Sequence, residues 1–132
     1  MRTVQVQKPS FPEVAPNQPL PVPPDNVWHV VCGDDDHWRV GYYAPASTSA
    51  DQLSELERHT CPELFVLQRG RLTLLLASDG KLQELPLQLG VPVLVTAPHS
   101  GYCPDGPHTG VALVVERDQF ATEYRAPGEW LS

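Results

Sequence analysis

Basic residues are scarce in this chain: nine Lys and Arg stand against sixteen Asp and Glu, a formal charge of -7. A surface of that sign repels phosphate backbones and anionic lipid. No basic run is interleaved with aromatics either, so nucleic acid and membrane surfaces are set aside as partners. Cysteine is also sparse. Cys32, Cys61 and Cys103 are odd in number and scattered, which is no disulfide framework. Free thiols in a reducing compartment are expected. No stretch approaches the ~20 apolar residues of a membrane helix. Residues 1–7 hold no continuous apolar run, so no signal peptide is expected, and the location expected by elimination is cytoplasmic. What remains is a chain of 132 residues, 41% of them hydrophobic, which suits one domain able to bury a core without staples.

Proline, in contrast, is plentiful. Seven of the fifteen prolines fall within residues 9–24. Each fixes φ and removes a backbone donor, so this segment is neither helix nor central strand. An extended, polyproline-like arm over residues 1–24 is expected ahead of one domain over 25–132. Phe11, Val14 and Leu20 are apolar. They leave two readings open: a loose tail, or an arm packed on the domain or on a second subunit.

Beyond the arm, short β-prone runs alternate with turn residues. Residues 27–32 are followed by an acidic turn, Gly33-Asp34-Asp35-Asp36, better read as a solvated loop than as a metal site. Residues 37–44 resume the pattern and Pro45 ends it. Residues 49–58 are the one helix-like stretch: Ser49 and Gln52 are spaced as a capping box, and Leu53 and Leu56 for one helical face. Further runs lie at 64–67, 71–77, 81–87, 91–97 and 110–116. Ser78-Asp79-Gly80 is a hairpin turn between two of them. Many short strands with turns between them indicate a sandwich or barrel. The polar tail, 118–132, reads as a short helix or an edge segment.

One stretch carries chemistry. It runs Glu57-Arg58-His59-Thr60-Cys61-Pro62-Glu63 and reaches Gly70 six residues later. Residues 57, 59, 63, 65 and 67 share parity, so extended chain projects them to one face. An imidazole and carboxylates brought together in an interior make a site for a divalent metal with open positions. The glycine permits the tight turn into the next strand.

The spacing resembles the first cupin motif, in which histidine, one residue, histidine, three or four residues, glutamate, six residues and glycine follow in order. His59, Glu63 and Gly70 match its second histidine, glutamate and glycine. Glu57 stands where the first histidine is expected. The second motif is less regular. Gly90 can start it, Thr96 stands in place of its proline, and a loop two residues short makes His99 the equivalent of its histidine. Cys103 and His108 lie close behind as rival donors. The resemblance covers about half the chain, residues 57–116. It implies an all-β, cupin-like double-stranded β-helix, a jelly-roll barrel, with a proline-rich N-terminal arm.

The same residues also have plain readings. His59 and Glu63 would hydrogen-bond each other in a barrel without metal. Glu57 would point to solvent if 49–58 is helical, and this is the reading preferred for it. Cys61 and Cys103 would be small buried hydrophobes. His29, His37 and His108 have no partner pattern. Trp38, Tyr42, Tyr43, Phe65 and Tyr102 are expected in the core or a pocket wall.

Three functions follow from the resemblance. The first is a metal-dependent enzyme acting on a small organic molecule. Fe(II), Mn(II), Ni(II) or Zn(II) would be held by His59, Glu63 and His99, to activate oxygen or polarise a carbonyl, with Glu63 as a catalytic proton acceptor. The second is a non-catalytic module that binds a small ligand. The third is a structural dimer without metal. In each case a homodimer is expected.

Overall fold

The structure is a computed structural model that describes residues 1–5, 14–22 and 27–132. The described strands in chain order are β1 (Arg2–Gln5), β2 (Trp28–Asp34), β3 (Trp38–Tyr43), β4 (Leu56–His59), β5 (Glu63–Arg69) and β6 (Thr73–Ser78). They continue with β7 (Lys81–Pro86), β8 (Pro92–Val95), β9 (His99–Tyr102), β10 (Val111–Arg117) and β11 (Ala121–Arg125). Short 3-10 turns occupy Ala50–Gln52 and Pro127–Trp130. The strands form two antiparallel sheets. One has the order β1-β11-β4-β9-β6-β7 and the other β2-β3-β10-β5-β8. Two sheets of this kind agree with the all-β architecture that the turn-punctuated β runs imply.

Alternation along the strands decides which face is covered. In β5, Glu63, Phe65 and Leu67 are buried, while Leu64 and Val66 are only half-buried. Phe65 and Leu67 join Leu72, Leu74, Leu87, Val95, Cys103, Ala112 and Val114 in the main core. Complete burial of one such leucine contributes roughly 1.5–3 kcal/mol. A smaller cluster of Leu56, Leu75 and Ala77 is packed by Ala50, Leu53 and Trp130.

The turns follow local chemistry. Asp79 and Gly80 have φ of 53° and 71° between the paired ends Ser78 and Lys81. Positive φ at both central residues is the primed turn geometry whose twist matches that of the strands it joins. Gly70 (φ +68°) is needed for a second reason, because a Cβ there would lie 2.1 Å from the Thr109 carbonyl oxygen.

Three expectations change. Residues 49–58 are not helical beyond the single turn Ala50–Gln52. Ser49 makes no side-chain cap, and Gln52 Oε1 accepts from the Thr48 amide at 2.8 Å instead. The remainder becomes β4, held between β11 and β9, where ladder bonds override a weak helical propensity. Within the tail, residues 121–125 are an interior strand and not an edge, because β1 pairs outside them, while the short helix expected as the alternative is met by the 3-10 turn Pro127–Trp130. Arg2–Gln5, placed with the arm by sequence, belongs to that sheet; it has no proline and includes the β-branched Thr3 and Val4. Of the expected arm, residues 6–13 and 23–24 lie outside the described residues. Residues 14–22 have neither strand nor helix and are exposed apart from half-buried Leu20. No helix among the described residues is long and apolar enough to cross a membrane.

Candidate metal centre

Strand register brings the site together from both sheets. On the larger sheet, Glu57 and His59 project from β4. Glu57 stands opposite His99 of β9, and His59 stands opposite Thr122 of β11. On the smaller sheet, Glu63 opens β5, and Glu116 of β10 stands opposite Arg39 of β3. The pairing of Val115 with Leu64, continued by one residue, sets Glu116 beside Glu63. Shared parity therefore does place Glu57, His59 and Glu63 inward, but β4 and β5 belong to different sheets, so His59 and Glu63 face each other across the interior.

The donor atoms converge. His59 Nε2 is 3.2 Å from Glu63 Oε1, and His99 Nε2 is 2.6 Å from Glu63 Oε2. Glu57 Oε1 is 3.5 Å from His59 Nε2 and 3.8 Å from His99 Nε2. Among the described residues, Glu57, His59 and His99 form one group able to hold a metal ion, and His59, Glu63 and Glu116 another. Glu57 therefore does not point away to solvent, as a helix there would require. The strand carries it inward, and its side chain keeps 34% exposure.

The far sides of the rings are already engaged. His99 Nδ1 lies 2.9 Å from the Ala97 carbonyl. A carbonyl only accepts, so Nδ1 carries the proton and donates it. His59 Nδ1 bonds Thr122 Oγ1 at 2.7 Å. Both Nε2 atoms are thereby turned to the centre, the arrangement that orients imidazole ligands in metal sites. Oε2 of Glu63 is buried and has no aligned hydrogen bond, despite the close approach of His99. The buried Glu63 carboxylate is compensated by the two imidazoles beside it, and a cation among these atoms can take over that compensation. The residues present therefore fit a divalent metal.

The electrostatics have the same origin. Burial would raise Glu63, but His59 and His99 outweigh it and hold the carboxyl well below its ordinary range. Burial would lower both imidazoles. Glu57 and Glu63 overcome it at His59 and lift that ring to about 10, and Glu63 overcomes it at His99, which is also raised. Glu116 is pushed up, first by burial and then by its neighbour Glu63. Arg39 Nε donates to Glu116 Oε1 at 2.8 Å, with both side chains buried.

The site opens into a cavity of about 550 Å³. Trp28, Tyr43, Phe65 and Phe120 supply aromatic wall, and Ser100 and Thr122 supply hydroxyls. Of the aromatics expected in core or pocket, Tyr43 and Phe65 line this cavity, whereas Trp38 is exposed. The rival donors lie elsewhere in their bonding. Cys103 Sγ is engaged by the Gly110 backbone and His108 Nδ1 by the Ala44 carbonyl. All three cysteines are free. Glu116 and Arg39 escape the sequence motif. Their signal is a charged residue inside an otherwise apolar β run, as in Val111-Ala112-Leu113-Val114-Val115-Glu116.

No family model and no curated protein matches the sequence. Solved structures do match it. An Fe(II) form of HppE has a TM-score of 0.56 at 11% identity, over 86% of this chain and 64% of the other. Hydroxypropylphosphonic acid epoxidase from S. wedmorenis has 0.53 at 12% identity, over 80% of this chain. The match spans only 57% of the epoxidase. A cupin-2 domain containing protein from Shewanella frigidimarina has 0.51 at 15% identity, over 68% of this chain and 78% of the other. With this likeness and its two antiparallel sheets enclosing the site, the chain has the cupin fold.

Proposed function

We propose that this protein holds a divalent transition metal through His59, Glu63 and His99 and acts on a small organic molecule in the adjoining cavity. The observation that carries the reading is the turning of both Nε2 atoms toward Glu63 while Ala97 and Thr122 engage the opposite ring nitrogens. Two imidazoles and one carboxylate with open positions suit non-haem iron chemistry, and a similar structure is an Fe(II) protein. Fe(II), Mn(II), Ni(II) and Zn(II) are the candidates. When bound, such an ion supplies Lewis acidity or access to oxygen chemistry.

The chain's own groups have distinct tasks. The protons that His59 and His99 hold so firmly occupy the place of a cation, and metal binding would release them. Glu63, kept ionised, serves as ligand. The proton-holding carboxyl is then Glu116, raised beside it and oriented by Arg39. This divides between two residues the ligand and proton roles that the sequence reading expects of Glu63 alone. Phe65 and Phe120 pack on the imidazoles, with centroids 5.6 Å from His99 and 4.7 Å from His59, and exclude water from that side.

Elemental analysis after reconstitution with each of the four ions tests the reading. His59→Ala and Glu63→Ala are each expected to strip the metal, and Cys32→Ala to retain it. A wild-type protein that retains none of the four ions would sink it. Turnover of a substrate panel separates an enzyme from a ligand-binding module, the reading that the replacement of the motif's first histidine by Glu57 favours.

A further inference from the structure

The place that the cupin motif reserves for a first histidine holds Glu57, whose carboxylate faces the centre. Its Oε1 stands 3.5 Å from His59 Nε2 and 3.8 Å from His99 Nε2. At these separations Glu57 is an ion-pair partner of both rings, not a close hydrogen bond to one of them. Donor atoms bound to one ion at about 2.0–2.2 Å stand roughly 3–3.5 Å from each other. The observed separations are close to that spacing. Tyr124 neighbours Glu57 on the adjacent strand β11, opposite it in register, and interacts with its carboxylate. The Arg2 guanidinium lies 3.9 Å from the Tyr124 ring centroid and is paired at 2.9 Å with Glu55.

Resting on the metal reading above, we propose that Glu57 is a fourth metal donor and determines which divalent ion the site prefers. With Glu57 the set is two imidazole nitrogens and two carboxylate oxygens. Its two negative charges balance those of the ion. A histidine in the same place would leave one carboxylate and a third, softer donor. Carboxylate oxygen suits harder ions such as Mn(II), whereas imidazole suits Zn(II), Ni(II) and Cu(II). Absolute affinities still rise along the usual series toward copper. What Glu57 changes is the ratio, which it shifts toward Mn(II) and Fe(II).

The test compares wild type with Glu57→Gln and Glu57→His. Calorimetric titration of the metal-free proteins with Mn(II) and with Zn(II) gives the affinity ratio. Visible absorption of the Co(II)-loaded proteins reports the donor set independently of any activity. Glu57→His is expected to favour Zn(II) over Mn(II) by about tenfold or more. Glu57→Gln is expected to weaken both ions by at least the roughly 10- to 100-fold that loss of an outer partner costs. Both variants should change the Co(II) spectrum. Glu57 is partly exposed, so both should fold, and a circular dichroism melt checks this. If Glu57→His does not fold, the Glu57→Gln spectrum and affinities decide alone. An unchanged ratio and an unchanged Co(II) spectrum, with wild type binding metal, overturn the role of Glu57 and leave the metal reading intact. Wild type that binds none of the three ions overturns both.

Discussion

Glu63→Gln in the metal-free protein removes a buried charge while keeping the side chain's shape. Burial by itself would push His59 down. Glu57 and Glu63 outweigh it and lift the imidazole from 6.5 to about 10. At about 1.36 kcal/mol per tenfold change in proton affinity, that difference is worth at most roughly 5 kcal/mol, shared between the two carboxylates. The sign follows from linkage. His59 binds its proton more tightly folded than unfolded, so its stabilisation is fully present below pH 6.5 and is lost as pH rises toward about 10. His99, raised by Glu63 against burial, acts in the same direction. Glu116, raised by burial and by Glu63, also keeps a proton that the unfolded chain releases, which again lowers stability as pH rises. Glu63 is the opposite case: its contribution is present above its ordinary 4.5 and is lost as pH falls. Metal-free wild type should therefore lose stability between pH 6.5 and 10, with a slope of about 1.4 kcal/mol per pH unit for each retained proton. Glu63→Gln should flatten that slope and lower the His59 titration point. Urea denaturation across this range with chelator present, paired with imidazole NMR titration, measures both. Wild-type His59 titrating near 6.5, or equal slopes in the two proteins, would refute the reasoning.

Two further predictions concern the frame and the assembly. Gly70→Ala is expected to cost at least roughly 2 kcal/mol and several degrees of Tm, from left-handed backbone plus the clash with the Thr109 carbonyl. Gly80→Ala should cost less, because its Cβ meets nothing within 4 Å; equal losses in thermal melts would contradict this account. The assembly expected is a homodimer, since the apolar residues of the N-terminal segment gain from burial and β1 ends a sheet whose outer edge can take a partner strand. Light scattering should give twice the monomer mass, and a truncation starting at Asp25 should weaken the dimer; a monomer mass at high concentration tells against it.

The sequence by itself determined what is local. Turn residues at short intervals specified an all-β chain, and Asp79-Gly80 specified a hairpin because only certain residues accept positive φ. The spacing of His59, Glu63 and Gly70 marked the site because side-chain parity is a property of extended backbone, whatever it packs against. Other features were settled only by long-range pairing. Residues 49–58 carry Leu53 and Leu56 at helical spacing, yet β9 and β11, more than forty and sixty positions away, make Leu56–His59 a strand. That pairing turns Glu57 inward. Spacing preferred His99 and left Cys103 and His108 as rivals, and the register of β9 against β4 brings His99 beside Glu57. Glu116 and Arg39 lie 77 positions apart and meet only because β3 and β10 are neighbours. Local propensity is read from adjacent residues, whereas a site between two sheets is assembled by strand order, and strand order is a choice of the whole chain.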